Sequence, residues 1–194
     1  KSQARRGHSG VRRRAGCLGM SPPSCVLIPM KRFERAKSRL RGHLDDAARA
    51  TLARRMFERV LHAAASCERV SATYVITDGL EVTRLARERG AEVLPDPVPA
   101  LPGLGELLDW GLARLSALGE QRAVVLMADL PGVDAADVHS LCTLLDDHEW
   151  VAAPDRRGHS TNALALHLPP ASATAFGHLH SYTEHCGRAR ALGL

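Results

Sequence analysis

The 194-residue sequence has no long apolar run, since charge, proline or glycine interrupts every hydrophobic stretch within about ten residues, half the length a bilayer crossing needs. No membrane partner is expected. It also has no Cys-x-x-Cys pair. Its five cysteines (Cys17, Cys25, Cys67, Cys142, Cys186) are odd in number and scattered, which argues for reduced thiols in a cytoplasm and against a disulfide frame or a zinc ribbon. Neither Gly-x-Gly-x-x-Gly nor a P-loop follows the first predicted strand, so the common dinucleotide and Walker readings lack their glycines. Finally, residues 1–24 contain no acid, while Lys1, Arg5, Arg6, Arg12, Arg13 and Arg14 give them a charge of +6.

The net charge of +5 therefore belongs to this arm, because the other 170 residues carry 20 basic and 21 acidic side chains, or −1. A flexible basic arm suits nucleic acid or a targeting signal. Here Gly7, Gly10, Gly16 and Gly19, with little helical periodicity, predict a disordered extension over 1–24. A cloning remnant, or a start misplaced ahead of Met20, explains it as well as function does. No nucleic-acid partner is expected.

Beyond the arm, strands and helices alternate. Strands are predicted at 25–30, 71–78, 91–96, 124–128, 150–155 and 162–169, and helices at 45–66, 81–89, 104–118, 134–146 and 181–192. The first helix carries Ala48, Leu52, Met56, Val60, Leu61 and Ala64 at helical spacing behind a cap at Asp45 or Asp46. Such alternation predicts one α/β domain over 25–194, with a mostly parallel central sheet and helices on both faces. A hydrophobic content of 45% supplies its core.

In VVLMADLPGVD (124–134) a buried-looking run ends on a charge, Asp129. The run reads as a strand covered on both faces, and the acid then stands at the sheet edge where open α/β folds bind ligands. A carboxylate there is a candidate ligand for a divalent cation or a hydroxyl; a turn or cap carboxylate beside Pro131 is the plainer alternative. Past the first strand, Lys31, Lys37 and Arg39 form a cluster that can grip a triphosphate, or simply a solvated basic turn. With Asp129 at the same edge they point to a nucleotide site, since magnesium is held by one or two carboxylates plus phosphate oxygens. Ser160, Thr161 and Asn162 add donors suited to phosphate or carboxylate. His178, His180 and His185 lie close together but match no zinc spacing.

In order, IPMKRFERAKSRL (28–40), ADLPGV (128–133), PDRRGHSTNAL (154–164) and FGHLHSYTEH (176–185) resemble the guanylyltransferases that make the activated phospho-acid precursor of coenzyme F420, among them the 2-phospho-L-lactate and phosphoenolpyruvate guanylyltransferases. The resemblance runs from about Val26 to Leu194. It implies a single-domain Rossmann-like nucleotidyltransferase (GT-A-like) fold, GTP and Mg²⁺, and attack by a phosphate oxygen of a small acceptor on the α-phosphorus with release of pyrophosphate. It further implies that Asp129 holds magnesium, that Lys31, Lys37 and Arg39 face the phosphates, and that Thr161, Gly177 and Ser181 hold the acceptor's carboxylate and phosphate. A cytoplasmic enzyme and a homodimer are implied as well. The acceptor stays open among phosphoenolpyruvate, 2-phospho-L-lactate and 3-phosphoglycerate.

Four departures qualify the likeness, one being Ser160-Thr161-Asn162 where the family has Gly-Thr-Asn. Gly103-Leu104-Gly105 stands where the family has Gly-Leu-Asn, removing an amide expected near the nucleoside. Three residues rather than two separate Gly177 from Ser181, which is expected to displace Ser181. The family's further strand and Asp-rich segment, with a second metal ligand, would lie past Leu194, so the domain reads as short at its C-terminus. A degenerate nucleotide-binding relative without turnover is the alternative reading.

Overall fold

The computed structural model describes residues 21–194. The expected basic extension lies outside the described residues except for 21–24, as does Cys17. The chain forms β1 (Ser24–Pro29), α1 (Asp46–Ser66), β2 (Val70–Thr77), α2 (Leu80–Glu88), β3 (Glu92–Pro95), α3 (Leu104–Ala117), β4 (Arg122–Leu126), α4 (Ala135–Leu144), β5 (Trp150–Pro154), β6 (Thr161–His167) and α5 (Ser181–Ala191). Two single 3₁₀ turns, Phe33–Arg35 and Ser38–Leu40, occupy the basic stretch after β1. The expected caps are in place. The Asp45 side chain accepts from Ala48 N at 2.7 Å, and α2 closes at Gly90 with φ +80°. No helix among the described residues is long and apolar enough to cross a membrane.

The six strands lie in the order β3-β2-β1-β4-β6-β5. β1, β2, β3 and β4 pair in parallel, whereas β6 runs antiparallel to both β4 and β5. Successive side chains of a strand point to opposite faces. Along β1 and β4, Val26, Ile28, Val124 and Leu126 enter the cluster packed by α1, α2 and α4, while Cys25, Leu27, Ala123 and Val125 enter the cluster packed by α3. Both faces are sealed, which is why these strands read as unbroken apolar runs.

Strand order places the crevice. β1 is bonded to β2 on one edge and to β4 on the other, so the strand order reverses between β1 and β4, and the loops leaving these two strands lie side by side at the carboxyl edge of the sheet. Because β6 is antiparallel, its first residue, Thr161, comes to that same edge. Leu126 faces Ala163, and Met127 N donates to Asn162 O at 3.1 Å. β4 stops at Leu126, where its partner strand begins, so Asp129 stands in the turn beyond the strand rather than at its last position.

At the opposite edge, Arg69 ahead of β2 and Arg122 at the start of β4 both bond Asp146 after α4, at 2.7 and 2.8 Å. The hydrogen bond from Arg69 is the main reason the Asp146 carboxyl sits well below the usual carboxylate range. A carboxyl lowered by folding contributes stability above its unfolded value of about 3.9, and that contribution is lost as pH falls through the lower folded value. Asp146→Asn should therefore lower the urea midpoint at neutral pH and flatten the loss of stability below about pH 4; an unchanged acid limb in urea titrations would mean the pair is not linked to folding.

Candidate active site

The loop after β1 is pinned from beneath. Phe33 is buried against Phe57 of α1, ring centroids 6.1 Å apart, and the buried Arg49 of α1 donates to Ala36 O at 2.9 Å while pairing with Asp46. The next residue, Lys37, takes the left-handed conformation at φ 53°, ψ 36°, alone in this among the described non-glycine residues. Such a backbone costs on the order of 1 kcal/mol or more and persists only where its surroundings fix it. The result is a contact across the switch point, Lys37 Nζ to Asp129 Oδ2 at 2.8 Å. The lysine side chain is 23% exposed and the aspartate 54%, so the cation is held within the crevice while the carboxylate stays accessible.

The crevice opens into a cavity of about 270 Å³. Lys31, Arg35 and Lys37 line it from the loop after β1, Asp129 from the turn after β4, and Asp96 from just past β3, against walls that include Pro29, Ile76, Leu104, Leu107 and Met127. Lys31 is exposed at its edge. Arg39, exposed on the second 3₁₀ turn, does not line it; Arg35 does. Lys37 and Arg39 are two positions apart, and a turn of three residues cannot aim both the same way.

Thr161, Gly177 and Ser181 gather in a second cluster at the same sheet edge. Thr161 N donates to Ser181 Oγ at 2.9 Å, Thr161 Oγ1 lies 2.8 Å from His185 Nδ1, and Ala175 N donates to His185 Nε2 at 2.8 Å. With Nε2 accepting, a neutral ring carries its proton on Nδ1 and donates to Thr161. Burial, reinforced by nearby Arg188, holds His185 down to about 4, so it is neutral at physiological pH. The Phe176 and Trp150 rings pack on it at 4.9 and 5.9 Å. Both hydroxyls thus act as acceptors toward the protein, and each retains an O–H to donate to anionic oxygens.

Ser181, expected to be displaced, lies within hydrogen-bond reach of Thr161. Residues 178–180 form a turn in which His178 N donates to Ala175 O, and Ser181 opens α5 beside Thr161. Gly177 takes φ +88°, which a side chain would strain, and its loop lies against Leu104, a residue that also lines the cavity. A Cβ on Gly105 would meet Phe176 O at 2.9 Å. A glycine at 105 therefore lets this loop approach α3. Of the clustered histidines, His178 pairs with Glu184 at 2.7 Å and His180 packs edge-on against His159 at 5.4 Å. No three metal-ligating side chains converge among the described residues, so a cation at Asp129 would take its remaining oxygens from phosphate and water.

A family model described as "Guanylyl transferase CofC like" matches residues 24–194. The chain belongs to that family. Curated relatives include phosphoenolpyruvate guanylyltransferases from Sphaerobacter thermophilus (34% identical over 169 residues, 87% of this chain and 80% of the relative) and Chloroflexus aggregans (36% over 173 residues, 87% and 84%). A 3-phospho-D-glycerate guanylyltransferase from Phenylobacterium zucineum is 35% identical over 162 residues, 82% and 73%. Among solved structures, a Desulfovibrio desulfuricans protein assigned as a nucleotide-diphospho-sugar transferase superposes with TM-score 0.72 at 17% identity, covering 90% of this chain and 78% of that one. A Leptospira borgpetersenii cytidylyltransferase gives 0.52 at 16%, covering 76% and 61%. At these identities the likeness shows the fold, a single α/β domain of the nucleotidyltransferase type.

The His185 arrangement in this CofC-like chain has a measurable sign. A histidine lowered from about 6.5 when unfolded contributes stability above that value, which is lost as pH falls toward about 4. Nitrogen-resolved NMR should find a neutral, Nδ1-protonated His185 down to that pH, with thermal stability falling across the same window. Titration of His185 near 6.5 would contradict the buried Thr161–His185–Ala175 chain.

Proposed function

We propose that the chain is a guanylyltransferase that moves GMP from GTP to the phosphate of a small phosphorylated acid and releases pyrophosphate. The observation that carries this reading is the 2.8 Å Lys37–Asp129 contact at the switch point, in a cavity lined also by Lys31 and Arg35. Phosphoenolpyruvate, 2-phospho-L-lactate and 3-phosphoglycerate are the candidate acceptors; the curated relatives are named for phosphoenolpyruvate and 3-phospho-D-glycerate. As a small-molecule enzyme it would work in the cytoplasm, which suits the buried, unpaired Cys25, Cys67 and Cys142, and as a homodimer.

The residues at hand fit Mg²⁺: an accessible hard oxygen donor, Asp129, sits beside a cationic phosphate cradle, and magnesium commonly binds through one carboxylate plus phosphate oxygens and waters. When bound, it would neutralise charge on the phosphates. Lys31, Arg35 and Lys37 would bind the triphosphate, Arg35 taking the place first given to Arg39. Thr161 and Ser181 would donate their free O–H groups to the acceptor, with Gly177 closing its loop around it. One acceptor phosphate oxygen forms a bond to the α-phosphorus as the bond to the α,β-bridging oxygen breaks, and pyrophosphate leaves with that electron pair. The attacking oxygen is already anionic, so the chain needs no general base. Its work is positioning and charge neutralisation.

Pyrophosphate release should appear with GTP, Mg²⁺ and one of the three phospho-acids, and not with ATP. GTP binding without release for any acid would favour the nucleotide-binding relative without turnover. Asp129→Asn should cut release by at least ~100-fold and leave the circular dichroism unchanged, because the side chain is accessible. Retained turnover in that variant would mean the metal lies elsewhere.

A further inference from the structure

Asp96 is the acid in the cavity that the mechanism does not use. It follows β3, is half-buried, and its Oδ1 is shielded from solvent with no hydrogen-bond partner. A buried acceptor left unpaired loses the hydrogen bonds it had in water, so an unmet one calls for an explanation. Its charged neighbours do not meet it. Asp78, beyond β2, is paired with Arg32 at 2.9 Å, and Lys31 attracts Asp96 without a hydrogen bond to it. Burial first, and Asp78 second, push the Asp96 carboxyl above the usual range, with Lys31 opposing.

Strand order fixes what can reach this oxygen. Asp96 follows β3 and Asp129 follows β4, and β2 and β1 lie between them, so they stand three strand spacings apart, on the order of 14 Å. With phosphates gripped at the β1–β4 crevice, the far end of a nucleotide lies toward β3. The wall between is apolar, built from Pro29, Ile76, Leu104 and Met127, which suits a flat base better than a polyhydroxyl sugar.

We infer that Asp96 is the specificity residue for the base, accepting from N1–H and the N2 amino group of guanine. This rests on the guanylyltransferase reading above. A carboxylate has only acceptors, and guanine's edge offers two parallel donors. Adenine offers one donor and an opposing lone pair at N1. An asparagine at the same place would invert the preference, since its amide gives a donor and an acceptor that pair with adenine.

The test is calorimetric binding of GTP, ITP, ATP and N1-methyl-GTP, each with Mg²⁺, to the wild-type chain and to Asp96→Asn. For the wild type, GTP should bind tightest, ITP more weakly because it lacks the N2 amino group, and N1-methyl-GTP no better than ATP. In Asp96→Asn, GTP should weaken roughly 10- to 100-fold, the gap between GTP and ITP should close, and ATP should not weaken. Equal loss for all nucleotides would place Asp96 on the sugar or phosphates and overturn the inference, as would unchanged selectivity. The wild-type N1-methyl-GTP arm is decisive even if the variant misfolds: binding as tight as GTP overturns the base contact. A wild type that binds none of the four removes the guanylyltransferase reading itself, whereas selective GTP binding with indifferent Asp96→Asn removes only this inference.

Discussion

β1 carries hydrogen bonds on both edges, and the rest of the site depends on that constraint. A strand between two parallel neighbours cannot hand its chain to both, so the chain runs from β1 to β2 on one side and from β4 toward β5 and β6 on the other, and the strand order reverses between them. A salt link across that reversal needs each partner held to its own wall. Asp129 is placed by the turn after a fully buried strand, and Lys37 by a loop that Phe33 and Arg49 bind to α1. The strained backbone at Lys37 is offset by this burial, away from solvent and away from the chemistry.

The positions most legible in the sequence were those where an apolar run stops. Asp129 and the basic stretch with Lys31 and Lys37 were singled out this way, because hydrophobicity fixes where a strand ends and α/β topology fixes which edge that is, whereas Thr161 was singled out in a polar turn and by the family resemblance. Asp96 carried the same signal, an acid closing the third strand, but nothing in the sequence marked its oxygen as unpartnered. Arg35 and Arg39 could not be ranked, since their aim depends on two 3₁₀ turns pinned by residues of α1 far along the chain. The antiparallel course of β6 was also hidden. Alternation of side chains reports faces and carries no direction, so a strand reads alike run either way. The place of Ser181 could not be read by counting residues from Gly177, because it depends on how the turn over 178–180 leads into α5.

The buried histidine and the two hydroxyls make a different kind of site from the cationic crevice. The crevice is open and charged, and its groups gain from a ligand that brings opposite charge. The Thr161–Ser181 cluster is buried around a neutral ring, and each of its hydroxyls accepts a hydrogen bond from the protein. Low dielectric strengthens their remaining O–H donors toward an anion. The loop at Gly177 that borders this cluster meets the wall of the cationic cavity at Leu104.

The hairpin of β5 and β6, with α5 behind it, joins the remaining structure along the β4–β6 ladder and through the close approach of loop 174–177 to α3. Everything proposed for the nucleotide lies on one side of that seam and everything proposed for the acceptor on the other. Inherited change in the hairpin can therefore retune the second substrate while the first half stays as it was. Relatives of this chain are named for two different acceptors, and change confined to the hairpin would alter the residues proposed for the acceptor without touching those proposed for the nucleotide.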